Sequence, residues 1–211
     1  MFFLSLDRST DEQTVALSRD GLVISSESFS GSDSRSADWP LKVCSFLEKN
    51  GCKLRDLDAF LVGQGPGSFA GIRAALAFAQ GLALPEGKKV IGLPSTAGLT
   101  DREGKVAVVG DARRERFWIV LYDGGKKVQD FILVSGDEIF SSVPNDFKVT
   151  TPDFVRMGSR LEELFGDRYL GGRKPSASRL AEVAIEFPDD VKEEPLPLYL
   201  QPAVRPPENK S

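Results

Sequence analysis

The sequence predicts an α/β protein with a duplicated mixed-sheet unit, on three observations. Short apolar runs bounded by turn signals alternate with longer segments of helical pattern. A strand–turn–strand–turn–strand unit at the start recurs from about residue 105: Asp7 lies eight residues before Val15-Ala16-Leu17, and Asp111 eight before Ile119-Val120-Leu121. Between the two units, Ala59–Leu84 reads as an apolar strand, a loop with three glycines and a proline, and an alanine-rich helix.

Phe2 to Leu6 is an apolar run ending at Asp7, and Thr14 to Ser18 is a second strand. Asp20-Gly21 suits the tight turn into a third, Leu22 to Phe29. Ser30 to Ser36 is small and polar, a loop. Pro40 suits the first turn of a helix that runs to Asn50, with Gly51 as its stop. Ala59 to Val62 is the strand before the glycine loop, Ser68 can cap the helix after it, and Lys89 to Leu93 is a further strand. The second unit has strands at Val106–Val109, Phe117–Tyr122 and Val128–Val134. Short helices are expected at Asp137–Ser142 and Gly158–Phe165, and a better one at Ser178–Phe187 with Ser178 as cap. Pro188 to Pro195 reads as a linker, Pro197-Leu198-Tyr199-Leu200 as an extended segment, and Pro202–Ser211 as a loosely held end. The expected division is an N-terminal lobe over 1–100, a C-terminal lobe over 101–195, and a tail, 196–211, returning to the first lobe.

Composition narrows the chemistry. With 211 residues, 41% of them hydrophobic, the chain can build substantial cores. A formal charge of -4 argues against a general nucleic-acid binder. No run reaches the ~18–20 apolar residues of a membrane span, and the start carries no basic leader, so the expected location is the cytoplasm. Cys44 and Cys52 match no redox or zinc spacing and read as free thiols. The chain has no histidine, which removes His-based general bases, Ser-His-Asp and Cys-His nucleophiles, and His-ligated metals.

Three features are candidate sites. Gly63, Gly65, Gly67 and Ser68 form a glycine loop before a helix, a place where backbone N–H groups can meet an anion. Gly65-Pro66-Gly67-Ser68-Phe69-Ala70 satisfies the dinucleotide pattern. However, no acidic residue ends the next strand, and a tight turn that seats the helix is the other reading. Asp7 and Asp111 each end a first strand. In an actin-like or sugar-kinase-like fold two such turns hold Mg²⁺ and phosphates, which would make the chain an ATP-binding kinase or ATPase. The other reading is an Asp that caps its own turn. Neither turn carries a glycine that would let backbone approach phosphate closely. Arg113, Arg114 and Arg116 form a basic turn, either solvated or anion-binding. Third, between Gly71 and Leu84 the only polar side chains are Arg73 and Gln80, on one face. Such a helix is covered on more than one side, by its own domain or by another chain. With the neighbouring 39–50 helix it is expected to form an interface through Leu41, Cys44, Leu47, Ile72, Ala75, Leu76 and Ala79.

Gly63-Gln64-Gly65-Pro66-Gly67-Ser68-Phe69-Ala70-Gly71-Ile72-Arg73 with Ala79-Gln80-Gly81-Leu82-Ala83 resembles the signature of the bacterial TsaB (YeaZ) family. Asp111-Ala112-Arg113-Arg114-Glu115-Arg116-Phe117-Trp118 and Pro197-Leu198-Tyr199-Leu200 are similar to its other two motifs, in the same order. The resemblance implies the two-lobed ASKHA fold of actin, chaperone ATPases and sugar kinases. It implies a non-catalytic scaffold that dimerises with TsaD, the subunit that puts threonylcarbamoyl on adenosine 37 of tRNAs reading ANN codons, and that is joined by the ATPase TsaE. It further implies self-association through the same helices, contact with tRNA only through the complex, and no cofactor or metal of its own. An older label of glycoprotease has no equipment here, because the chain lacks the histidines with which the catalytic paralogue binds metal. Three departures stand out: Arg8 and Ala70 replace the family's usual Thr, and the usual His is absent from Ser30–Ser36. They weaken nucleotide binding and leave helix docking intact.

Overall fold

The computed structural model describes residues 1–30 and 38–200; the expected loop after Ser30 and the end Pro202–Ser211 lie outside the described residues. Strands β1 (Phe2–Asp7), β2 (Glu12–Arg19) and β3 (Leu22–Ser30) form an antiparallel meander, followed by helix α1 (Trp39–Lys49), β4 (Ala59–Gly63), helix α2 (Phe69–Ala83) and β5 (Lys89–Leu93). β1 and β4 pair in parallel, as do β4 and β5. A short crossover, Ser95–Leu99, leads to β6 (Lys105–Arg113), β7 (Arg116–Asp123) and β8 (Lys126–Ser135), again a meander. Then come β9 (Lys148–Thr151), helix α3 (Phe154–Phe165), β10 (Tyr169–Gly172), helix α4 (Ala177–Glu186) and β11 (Lys192–Glu193).

The sheet orders are β11-β5-β4-β1-β2-β3 and β10-β9-β6-β7-β8. Apart from β11 the two are the same arrangement, with three antiparallel strands and two parallel additions beside the first strand. The duplication expected from the spacing of Asp7 and Asp111 is therefore a duplication of structure, and the fold is the two-lobed ASKHA α/β fold. β1 is buried along its whole length because it is flanked by β2 and β4 and covered on both faces, which is why its sequence is a nearly continuous apolar run.

Three cores hold the molecule. In the first, Leu4, Leu6, Val15, Leu17 and Phe60 pack against Trp39, Val43 and Phe46 of α1 and Ile72, Ala75 and Ala79 of α2. The third places Val109, Ile119, Leu121 and Val149 against Met157, Leu161 and Phe165 of α3. The second lies between the sheets, where Leu180, Ala181, Val183 and Ala184 of α4 meet Leu61 and Leu93 on one side and Val106, Val108, Trp118, Val120 and Tyr122 on the other.

Several expectations change. Asp137–Ser142 is a run of turns, not a helix: the Glu138 carboxylate accepts from the Ser135 amide (2.8 Å) and hydroxyl (2.6 Å) as at a helix start, but the backbone bonds that follow, Ser142 to Glu138 (3.0 Å) and Val143 to Phe140 (3.4 Å), are isolated ones. α3 begins at Phe154, a turn earlier than Gly158. Ser176, not Ser178, caps α4, accepting from the Arg179 amide. The expected linker Pro188–Pro195 contains β11, which adds to β5.

Candidate functional site

A cleft of about 830 Å³ opens between the sheets. Its walls are the turn Arg8–Asp11, the glycine loop with the start of α2, Asp111–Arg113 at the end of β6, Pro152–Arg156 at the start of α3, and Leu198–Leu200. The duplication explains the placement: both first strands and both following turns end at the same rim.

The glycine loop spends its donors internally. The Ser68 amide donates to the Ser9 carbonyl (2.7 Å), the Gly71 amide to the Ser68 hydroxyl (3.2 Å), and the Gly65 amide to the Ser95 hydroxyl (2.9 Å). A Cβ at Gly67 would collide with the Ser9 backbone, and one at Gly71 with the Arg8 carbonyl. These glycines let α2 sit directly on the turn after β1. Of the two sequence readings, anion cradle and helix seat, this packing favours the seat: the amides of Ser68, Gly71 and Gly65 are held by the Ser9 carbonyl and the Ser68 and Ser95 hydroxyls.

Asp7 is fully buried and is absent from the cleft wall. Its Oδ1 accepts from the Ser9 amide (2.8 Å) and hydroxyl (2.6 Å), and its Oδ2 faces Gly63, where a Cβ has no room. Burial raises its pKa, against the opposing effect of hydrogen bonds from Ser9 and Ser95. Arg8 is also buried, its guanidinium 4.6 Å from the centre of the Trp39 ring, and burial lowers its pKa. Asp111 does line the cleft, but its carboxylate is engaged. It accepts from the Arg113 amide (2.7 Å) and from Arg156 Nη1 (3.0 Å), with Arg113 Nη1 at 3.4 Å. The Asp111 amide in turn donates to Asp153 Oδ2 (2.8 Å). Burial raises the pKa of Asp153, which also lies beside the Asp111 charge. Asp7 and Asp111 are thus not brought together as a facing pair, since one is held beneath the glycine loop. Sequence reading missed Asp153 and Arg156; Thr151-Pro152-Asp153 was the available signal, a helix start after a short strand.

The tail closes one side of the cleft. Gln64 Nε2 donates to the Leu196 carbonyl (2.8 Å), and the Leu198 amide donates to the Gln64 carbonyl (2.8 Å). Tyr199 stacks on Phe69 with ring centres 5.1 Å apart, and Arg73 lies 5.0 Å from the other ring.

The two helices present surfaces different from those expected. Ile72, Ala75, Leu76 and Ala79 of α2 and Leu47 of α1, expected at an interface, are buried in the first core of this chain. Cys44 is half-buried and free, whereas Leu41 is 68% exposed. The outer strip of α2 is Ala70, Arg73, Ala77, Gln80 and Gly81, continuing to Leu84, which is 83% exposed. α2 is therefore covered by its own chain on one side only. Trp39 meets Phe78 edge-on at 5.0 Å, which fixes α1 beside it. Among the described residues no cluster of His, Cys, Asp and Glu could hold a metal, and no helix is long and apolar enough to cross a membrane.

Comparison with known proteins gives this arrangement a family. Residues 40–145 match the family model of TsaD, tRNA N6-adenosine threonylcarbamoyltransferase. Over 125 residues, 56% of its length, the chain is 33% identical to the tRNA threonylcarbamoyladenosine biosynthesis protein TsaB of Escherichia coli. That match spans only about half, 54%, of the relative. Among solved structures, YeaZ from Pseudomonas aeruginosa superposes with a TM-score of 0.74 at 24% identity, over 94% of this chain and 99% of that one. A second solved structure, described as an uncharacterized protein with similarity to peptidase YEAZ from Pseudomonas aeruginosa, gives 0.73 at 23% identity, over 95% and 99%. With half of its length matched by the family model, the chain belongs to the TsaD family, and TsaB and YeaZ proteins are among the relatives it resembles.

Proposed function

We propose that this chain is a non-catalytic partner subunit in the synthesis of threonylcarbamoyladenosine on tRNA, docking a TsaD-type catalytic subunit through the outer faces of α1 and α2. The observation that carries the non-catalytic reading is the commitment of the glycine-loop amides: Ser68, Gly71 and Gly65 donate to Ser9, Ser68 and Ser95, within the chain. The two strand-end aspartates fit that reading too, as Asp7 is buried away from the cleft wall and the Asp111 carboxylate is engaged by Arg113 and Arg156.

Support for docking is the outer strip of α2. An alanine- and glycine-rich helix face in water gains nothing from its apolar residues until a partner covers it, and small side chains allow close helix approach. Leu41 and Leu84 flank that strip as exposed apolar residues. Under this reading the lobes divide near residue 100, a TsaE-type ATPase joins the pair, the same strip accepts a second copy when the partner is absent, and tRNA is reached through the complex. The working location is the cytoplasm.

Calorimetric titration tests the reading. The chain should bind a TsaD-type subunit, Ala77→Arg should abolish that binding without changing the melting temperature, and ATP with Mg²⁺ should give no heat. Tight ATP binding by the isolated chain, lost in Asp111→Ala, would establish the rival reading of an ATP-using enzyme.

A further inference from the structure

Residues 173–186 lie between the lobes and are tied to three separate parts of the molecule. Toward the first sheet, Lys174 pairs with Asp11 (2.7 Å), the Thr14 hydroxyl donates to the Pro175 carbonyl (3.0 Å), and its oxygen accepts from the Ala177 amide (3.1 Å). Toward the crossover between the lobes, the Ser176 amide donates to the Gly98 carbonyl (3.0 Å), and Gly98 packs too closely on Ser176 to admit a Cβ. Arg173 Nη1 donates to the Leu99 carbonyl (3.1 Å) and to Asp101 Oδ2 (2.9 Å). Toward the second sheet, Arg179 Nη2 donates to the Gly124 carbonyl in the β7–β8 turn and to the Asp101 carbonyl, both at 3.2 Å.

Arg179 is the centre of this network. Its side chain is 8% exposed, and its other terminal nitrogen is held by Glu182 (3.0 Å) and Glu186 (3.2 Å). Arg102, in the crossover, reaches the same Glu182 at 2.7 Å. The apolar side of the helix packs on the first sheet, and its four core residues share one cluster with residues of both sheets, with Val183 reaching Gly125 in the β7–β8 turn. A second polar bridge crosses nearby, between the Thr96 and Tyr122 hydroxyls at 2.7 Å.

Lobe closure needs a few connecting residues that absorb a change in backbone angles. The segment between β5 and β6 has the right position to do so, yet the carbonyls of Gly98, Leu99 and Asp101 and the Asp101 carboxylate are all bound to residues 173–179. Both terminal nitrogens of the buried Arg179 are occupied, though its Nε is not, and opening either arm leaves a charged nitrogen unpaired at low dielectric. We propose that α4 and the segment leading into it bolt the two lobes into one body with a cleft of fixed aperture, and that Arg179 is the pin. The docking face on α1 and α2 then keeps one orientation toward the second lobe, whatever occupies the cleft. The proposal does not depend on the identity of the partner.

Pulsed electron resonance on the full chain tests it, with nitroxides at Glu48→Cys on α1 and Ser159→Cys on α3 in a Cys44→Ser, Cys52→Ser background. The expected result is one narrow distance distribution, unchanged by saturating ATP and Mg²⁺, which broadens or splits in Arg179→Met. Should Arg179→Met fail to fold, Arg173→Met is measured in its place, together with hydrogen exchange. That variant should broaden the same distance and raise exchange at residues 98–104 at least tenfold. A bimodal or ligand-shifted distribution in the unmodified pin background overturns the proposal, as does an unbroadened distribution with unchanged exchange in the Arg variants.

Discussion

Alanine at Gly71 and alanine at Gly81 are the same change in the same helix, and the structure assigns them opposite signs. Glycine in a helix costs about 0.5–1 kcal/mol relative to alanine, so replacing it normally stabilises. Gly81 is exposed with nothing within 4 Å of an added Cβ. Gly81→Ala should therefore gain about 0.5–1 kcal/mol, which for a chain of this size raises the melting temperature by roughly 1–4 °C. At Gly71 the added carbon would overlap the Arg8 carbonyl oxygen. Ordinary contact is about 3.5 Å, so either the helix start or the turn after β1 must move by more than about an ångström. Overpacking of this kind costs about 1–3 kcal/mol, and because the obstacle is backbone, which relaxes less than a side chain, the upper part of that range applies, about 2–3 kcal/mol. After subtracting the propensity gain, the net loss is about 1–2.5 kcal/mol, a fall of roughly 2–10 °C. Differential scanning calorimetry of both variants reads the two shifts directly. If Gly71→Ala melts at or above the parent, the glycine loop is not the tight seat of α2, and its reading as structural support fails.

Three further outcomes follow from the same geometry. Asp7 has a raised pKa from burial, so its ionisation disfavours the folded state, and stability is lost as pH rises from the ordinary carboxylate range through the folded value. Asp7→Asn keeps the acceptor for Ser9, so it should melt at or above the parent, by a margin larger at pH 7 than at pH 4; a large loss at pH 7 would show that the charge is needed. Ser176→Ala should lose about 1 kcal/mol, read as a fall of roughly 2–4 °C, and Ser178→Ala close to nothing; the reverse order would return the cap to Ser178. Heating should give one cooperative calorimetric transition for both lobes, because α4 completes a core that belongs to both sheets; two resolved transitions would contradict that shared core.

The parts of the fold legible in the sequence were those with local signals. The two meanders follow from Asp20-Gly21 and Asp123-Gly124 between runs of β-forming residues, and α2 from its alanine content and Ser68 cap. β9 and β10 escaped because each has only four residues, with Lys148 exposed in one and two glycines in the other. They become strands by pairing beside β6, which is a non-local cause. Ser176 and Ser178 are equivalent as caps by type, and the choice is made by Thr14 and Gly98, in other parts of the chain, which bind Pro175, Ala177 and Ser176. At the site, the glycine loop is legible with two readings, an anion cradle and the seat of a helix, and the choice between them rests on partners distant in the chain. The competing acceptor is the carbonyl of Ser9, which carries no sequence signature. On α2, Ile72, Leu76 and Ala79 fit a core and an interface equally well by periodicity, and in the structure they are buried in the first core.

Modification of tRNA in a reconstituted mixture, scored by threonylcarbamoyladenosine content, is the most direct test of the scaffold reading. This chain alone should form none, its addition to a TsaD-type subunit with a TsaE-type ATPase and activated threonylcarbamoyl donor should restore formation, and Ala77→Arg, folded as judged by its melting temperature, should not restore it. Product formed by this chain alone, or undiminished formation with Ala77→Arg, would contradict the account.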